Sequence, residues 1–288
     1  MKNIISSTNN SALNDIDVIH QIKHQLNDSG WVLLRGFDAS LPKFSELLKQ
    51  FCNKLTFDPA REFADKSSQK VNAGNEPVGL HIENGNTPFP PNLVAFYSEK
   101  SAKKGSQTTL CDGLELFQNM SAQLQQTWQQ TVTVSRRLPS QLWRQYVVNQ
   151  HPEVSCVTEV TEKHLADFIA INKHQRGTIN ADDSLDYELD IQPCLPINET
   201  DSTAQYSFAN AILGPSFNYE KPNYTFQNGQ AVSEKLINET AELAEKYTQE
   251  IHWQDGDIAI INNKRVLHGR RAIIGDLTNR QLFIGMGY

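Results

Sequence analysis

Apolar residues recur at Ile19, Ile22 and Leu26 between Asp15 and Asn27, the spacing of a helix with one buried stripe, and Gly30 supplies its stop signal. A strand, Trp31 to Arg35, follows. The chain restarts at Ser40-Leu41-Pro42, where Phe44, Leu47, Leu48, Phe51 and Leu55 predict a second amphipathic helix. The opening is therefore α-β-α. From Asn92 the pattern shortens to extended runs, Leu93 to Tyr97, Thr108 to Leu110 and Thr131 to Val134, set apart by Pro, Gly, Asn and Ser. Leu236, Thr240, Leu243 and Tyr247 predict one more helix, Ser233 to Thr248. Glu250 to Trp253, Asp257 to Ile261 and Gln281 to Met286 then read as strands, the first two joined by the turn Gln254-Asp255-Gly256.

Strands in the middle of a chain that must pair with strands at its far end suit a jelly roll. The expected fold is mainly β with flanking helices, built on a double-stranded β-helix core. Residues 139–199 depart from this pattern. They are polar, show few clean strands and hold one helical candidate, Glu159 to Lys173, so they read as an insertion lying over the barrel mouth like a lid. No repeat or linker divides the sequence, and 1–288 reads as a single domain.

Composition narrows the function more than the fold. With 39% hydrophobic and 20% charged residues the chain is an ordinary soluble globule. A net charge of -7 and the lack of a basic run argue against nucleic acid as a partner. No apolar stretch approaches the roughly 20 residues that span a bilayer, and the first dozen residues lack a signal-peptide core, so no membrane partner and a cytoplasmic location are expected. Cys52, Cys111, Cys156 and Cys194 are widely spaced with no C-x-x-C pair, which reads as reduced, mostly buried thiols. Nothing in the sequence speaks to oligomeric state.

The candidate chemistry lies in His81 and Glu83, within Leu80-His81-Ile82-Glu83, and in His268, within Leu267-His268-Gly269-Arg270. In an extended chain, residues i and i+2 project to one side, so His81 and Glu83 can share a cavity. A second histidine from a neighbouring strand would complete a two-histidine, one-carboxylate face for Fe(II). Eight histidines and 33 acidic residues make about one His-x-acid triplet expected by chance, and His151-Pro152-Glu153 is a second match. Pro152 disfavours regular strand pairing there, and solvent exposure accounts for that pair. On the three residues alone, a hydrogen-bonded surface pair and a satisfied turn histidine remain an equal alternative.

The wider wording separates the two. Pro90 to Tyr97, then Gly105-Ser106-Gln107-Thr108, then Trp253-Gln254-Asp255-Gly256-Asp257, then His268-Gly269-Arg270 and Arg280 follow the His-x-acid motif in order. This series resembles the taurine-dioxygenase-like family of Fe(II)/2-oxoglutarate-dependent oxygenases, over about Gly79 to the C-terminus. The resemblance implies Fe(II), 2-oxoglutarate and O2 as cofactor and cosubstrates, with His81, Glu83 and His268 as metal ligands. It implies Arg280 on the distal carboxylate of 2-oxoglutarate, Thr108 as a hydroxyl partner, and Arg270 as a supporting residue. Arg271 reads as a solvated charge and Asp257 as the tie of a turn.

Two departures stand out. The carboxylate is Glu rather than Asp, as in the clavaminate-synthase-like branch, and the Gly-Gly-x-Thr segment reads Gly105-Ser106-Gln107-Thr108. The implied reaction is hydroxylation or desaturation of a C–H bond in a small substrate, a free or carrier-bound amino acid or its derivative, with release of succinate and CO2. Asn84, Asn86 and Phe89 are candidate substrate contacts from their place beside the motif. Phe208 and Asn210 join them because a similar Phe-x-Asn segment in the family lies near the active site. A zinc hydrolase is the first rival, though it leaves Arg280 and Thr108 without a role and the chain has no His-Glu-x-x-His. A non-enzymatic jelly-roll binding protein is the second.

Overall fold

A computed structural model describes residues 3–7, 12–58, 61–72, 74–151, 153–197, 205–214, 221–275 and 280–288. The chain is mainly β with seven α-helices among these residues. Its largest sheet has the order Ile4–Ser6, Trp31–Arg35, Ile258–Asn262, Leu93–Lys100, Gln281–Gly287 and Leu55–Thr56, with Gln69–Lys70 also on Gln281–Gly287. A four-stranded sheet runs Thr248–Ile251, Thr108–Asp112, Val266–Arg270, Val78–His81.

The strands Trp31–Arg35 and Ile258–Asn262 are apolar at nearly every position because both of their faces are covered. Val32, Leu34, Ile258 and Ile260 meet Ile19, Ile22, Phe44 and Leu47 of the two N-terminal helices. Trp31, Leu33, Ala259 and Ile261 point the other way, against Leu110, Ile251 and Val266 of the four-stranded sheet. Two layers of sheet thus enclose one core, and a third layer of helices closes the outside. Arg35 and Asp257 tie the two ends of the chain together, with Nη2 of Arg35 2.6 Å from Oδ2 of the buried Asp257. The same carboxylate accepts the Gln254 N–H at 2.8 Å, so Asp257 does tie the turn.

The opening follows expectation: helix Ile16–Ser29, strand Trp31–Arg35, helix Leu41–Leu48. Gly30 closes the first helix with φ +78°, its N–H returning to Leu26 O. The second helix ends early, so Phe51 falls beyond it and Leu55 lies in the strand Leu55–Thr56. There the backbone turns to pair with Tyr288, whose carbonyl takes the Asn53 N–H at 2.7 Å. Tertiary pairing overrides the helical periodicity.

Residues 139–199 hold more structure than their polarity suggests. Helix Ser140–Gln150 precedes helix Glu162–Ala170, and strands Gln175–Ile179 and Leu185–Ile191 join Val132–Leu138 and Asn223–Phe226 in a further four-stranded sheet. Leu185, Tyr187 and Leu189 alternate inward to pack with Trp143, Val147, Leu165 and Phe168. The intervening Asp and Glu face Arg137 and Arg176, which is why the stretch looks polar as a whole. Helices Gly113–Gln118 and Ala122–Trp128 also went unread, being under three turns long. Among the described residues Cys52, Cys111 and Cys194 are buried free thiols, and Cys156 is an exposed one. Among the described residues no helix is long and apolar enough to cross a membrane.

Candidate metal centre

Strands Val78–His81 and Val266–Arg270 lie antiparallel with His81 and His268 as direct register partners. Their rings stand 4.7 Å apart at 52°. Glu83, two residues beyond His81, brings Oε1 to 3.5 Å from His268 Nε2 and 3.9 Å from His81 Nε2. All three side chains are buried, and their ligand atoms lie within 4.8 Å of one another. Gly269 makes this approach possible: a Cβ there would sit 2.5 Å from Val78 O and 2.9 Å from Gly79 O.

Two of the three candidate ligands, His81 and Glu83, are fixed by hydrogen bonds with their neighbours. His81 Nδ1 lies 2.8 Å from Gly79 O, which fixes the ring with Nε2 turned to the centre. Burial pushes the His268 imidazole down to about 4, so it is the neutral form that a metal takes. Burial works against the Glu83 carboxylate, yet the Arg61 charge and both imidazoles override it and hold the group well below its usual range. The set is therefore two imidazole rings, that of His268 held neutral, and one anion, a donor chemistry that fits a divalent first-row metal.

Asn263, missed in the sequence, grips Glu83 from both sides. Its Oδ1 accepts the Glu83 N–H at 2.9 Å, and its Nδ2 donates to Glu83 O at 3.1 Å and Pro91 O at 3.0 Å. Asn263→Ala is expected to weaken metal affinity by about 10–100-fold, the usual cost of losing an outer partner of a ligand. Equilibrium titration with Mn(II) measures it, and an unchanged affinity would show that Glu83 is held by other means.

A cavity of about 90 Å³ opens on one side of the triad, lined by Thr108, Arg270 and Arg280 with Phe96 and Leu282 among its apolar walls. Arg280 donates from Nε to Ser106 Oγ at 2.8 Å and from Nη1 to Val71 O at 3.0 Å, while its buried Nη2 has no partner. Burial and the nearby Arg270 lower its guanidinium to about 10. Arg61 and Glu83 on the same wall pair with each other, which leaves Arg270 and Arg280 to favour an anionic ligand. Arg270 donates to Gly74 O at 2.8 Å and Glu76 O at 2.5 Å, so it also braces the segment ahead of the His81 strand. Arg271 turns away to Glu245 and Glu250 and is ion-paired rather than simply solvated.

The segment Gly105-Ser106 keeps the backbone of a double glycine, with φ +75° and +66°. Ser106 tolerates this left-handed geometry while its hydroxyl takes Arg280 Nε, so the replacement adds a contact. Thr108 Oγ1 accepts from Trp253 Nε1 at 2.9 Å, which explains the tryptophan of the Trp253-to-Asp257 motif.

On the other side of the triad, a cavity of about 110 Å³ is lined by Asn84, Asn86, Arg61, Arg136 and Tyr146. Asn86 donates to the Tyr224 hydroxyl at 3.1 Å and leaves its buried Oδ1 without a partner. Phe89 lies in a separate small cavity against Phe168. Phe208 and Asn210 stand behind these walls. Phe208 is fully buried against Trp128, and Asn210 caps the turn to Ile212 while its carbonyl takes the Ile82 N–H.

A sequence profile described as taurine catabolism dioxygenase TauD, TfdA family, matches residues 4–285. This chain belongs to the TauD/TfdA family. It is an Fe(II)- and 2-oxoglutarate-dependent oxygenase that uses O2. It is 20% identical over 318 residues to the dapdiamide synthesis protein DdaC of Enterobacter agglomerans, covering 99% of this chain and 91% of that one. Its fold matches PvcB of Pseudomonas aeruginosa with a TM-score of 0.60 at 13% identity, covering 99% of this chain and 85% of that chain. It also matches a taurine dioxygenase of Burkholderia xenovorans with a TM-score of 0.64 at 16% identity, covering 96% and 83%.

Proposed function

We propose that His81, Glu83 and His268 hold the iron, and that the enzyme hydroxylates or desaturates a C–H bond of a small, amino-acid-derived substrate. The observation that carries this reading is the shared cavity: the triad, Thr108 and the incompletely bonded Arg280 face one space. The bound metal supplies O2 activation coupled to decarboxylation of 2-oxoglutarate to succinate and CO2. The chain supplies the rest. Arg280, held at Nε and Nη1, offers Nη2 to the distal carboxylate, and Thr108 offers its hydroxyl beside it. Phe96 and Leu282 keep water away from that end.

The substrate enters the second cavity, where Asn84 and Asn86 supply polar contacts. Leu142 and Tyr146 reach this cavity from residues 139–199, which supports reading that stretch as a cover on a single domain. The sheet pair around the triad, with chain-distant strands side by side, supports a double-stranded β-helix core. A zinc hydrolase has no use for Arg280 or Thr108.

Anaerobic addition of Fe(II) and 2-oxoglutarate is expected to give a visible charge-transfer band. A succinate-release screen over free amino acids, short peptides and their carrier-bound forms then identifies the substrate class. A folded protein that gives no band would refute the assigned ligands. Thr108→Val is expected to raise the 2-oxoglutarate KM by about 3–10-fold, the range of one neutral hydrogen bond. Steady-state kinetics measure it, and an unchanged KM would assign Thr108 to supporting Trp253 alone.

A further inference from the structure

The two oxygens of Glu83 share one donor, and one of them also nears the imidazoles. Oε1 is the oxygen nearest both imidazoles. Oε2 accepts from Arg61 Nη2 at 3.1 Å, and the same nitrogen lies 2.9 Å from Oε1. Arg61 is itself fixed. Its Nε reaches Asp58 Oδ2 at 3.3 Å, and its carbonyl accepts from the buried Gln69, whose amide also pairs with the backbone of Asp58. Gln69 belongs to the strand Gln69–Lys70, which pairs with the closing strand Gln281–Gly287. A guanidinium anchored to the sheet thus spans both carboxylate oxygens, in the mouth that an ion chelating both would have to occupy.

This placement bears on denticity. A carboxylate can bind a metal through one oxygen or two. Glutamate carries one methylene more than aspartate, so its carboxylate can swing both oxygens toward an ion. That would consume one of the three positions that a two-histidine, one-carboxylate face leaves open. A keto acid that chelates through two oxygens, followed by O2, needs all three.

We propose that Arg61 is a positioning residue whose Nη2 fills the mouth between the two Glu83 oxygens and so keeps Glu83 a one-oxygen ligand, preserving an open coordination position. The inference rests on the assignment of Glu83 as a ligand. It explains why a cation that would otherwise repel a metal sits at this site: it blocks the second oxygen as well as balancing the charge.

The test uses the full chain with Co(II), whose visible absorption reports coordination number, and 2-oxoglutarate titrated anaerobically. Wild type and Glu83→Ala come first. If Glu83→Ala binds Co(II) as wild type does, the ligand assignment fails and the inference with it. Given a wild-type site, Arg61→Leu is expected to keep Co(II) but lose 2-oxoglutarate affinity by about 10–100-fold, the range for outer partners of a metal ligand. Its Co(II) spectrum shifts before any cosubstrate is added. Arg61→Lys recovers most of the affinity.

The deciding variant is Arg61→Leu combined with Glu83→Asp, whose shorter side chain reaches less readily with both oxygens. It is expected to regain at least about 10-fold of the lost 2-oxoglutarate affinity, within the span set by the single variant. Failure of that rescue, with both proteins folded by circular dichroism, would mean that Arg61 touches the cosubstrate directly and would overturn the proposal. An unchanged 2-oxoglutarate Kd in Arg61→Leu would overturn it as well.

Discussion

His268→Ala yields a folded protein whose 2-oxoglutarate-dependent succinate formation falls by more than about 100-fold, beyond the 10–100-fold that an outer partner costs. The reason lies in where His268 sits. Its imidazole is 2% exposed, held neutral by burial, and faces Glu83 Oε1 at 3.5 Å. With only His81 and Glu83 left, the metal has two protein ligands and solvent competes for the rest. The fold should persist, because the neighbouring Leu267 and Val266 carry the apolar contacts of that strand. Metal content after anaerobic loading, succinate yield and circular dichroism together measure the outcome. A variant that keeps stoichiometric iron and turnover would remove His268 from the ligand set.

Arg280→Met moves activity and stability in opposite directions. Loss of a buried charge partner costs about 2–5 kcal/mol in binding, so the KM for 2-oxoglutarate rises by roughly 30- to several-thousand-fold. Without cosubstrate the same change stabilises the protein. Burial and Arg270 lower the Arg280 guanidinium to about 10 in the folded chain, so folding disfavours its charged form. That penalty is fully present below about pH 10, fades as the pH rises from there to the unfolded value and is gone above it, so at neutral pH removing the charge relieves it. The gain is on the order of 1–3 kcal/mol, discounted from the full shift for solvent relaxation. Thermal unfolding with and without 2-oxoglutarate reads both effects. A variant that melts lower than wild type without 2-oxoglutarate would show that the bonds to Ser106 and Val71 outweigh the buried charge.

Much of this arrangement was legible in the chain, for identifiable reasons. Trp31 to Arg35 reads as a strand because both of its faces are apolar, and Ile16–Ser29 reads as a helix because only one is. His81 and Glu83 stand out through their i, i+2 spacing, and His268 through the motif around it. Arg61 was invisible because its role depends on Gln69 and on a sheet closed by residues more than 200 positions away. Asn263 carries no motif of its own, and its role shows only once its burial and its bonds to Glu83 and Pro91 are in place. Phe208 and Asn210 were chosen by analogy, and their neighbours show packing and turn capping instead. Leu185–Ile191 was within reach: its alternation of apolar and acidic positions is a plain strand pattern, outweighed by the polarity of the region around it.

The register pairing of His81 with His268 also sets a timetable for the chain. Glu83 and His268 are 185 positions apart. At about 5–20 residues per second, a ribosome spends roughly 10–40 s between the two. Throughout that interval the growing chain owns two of the three proposed ligands and lacks Arg280. Iron and an oxidisable keto acid therefore have no complete site to meet on until the strands from both ends have paired.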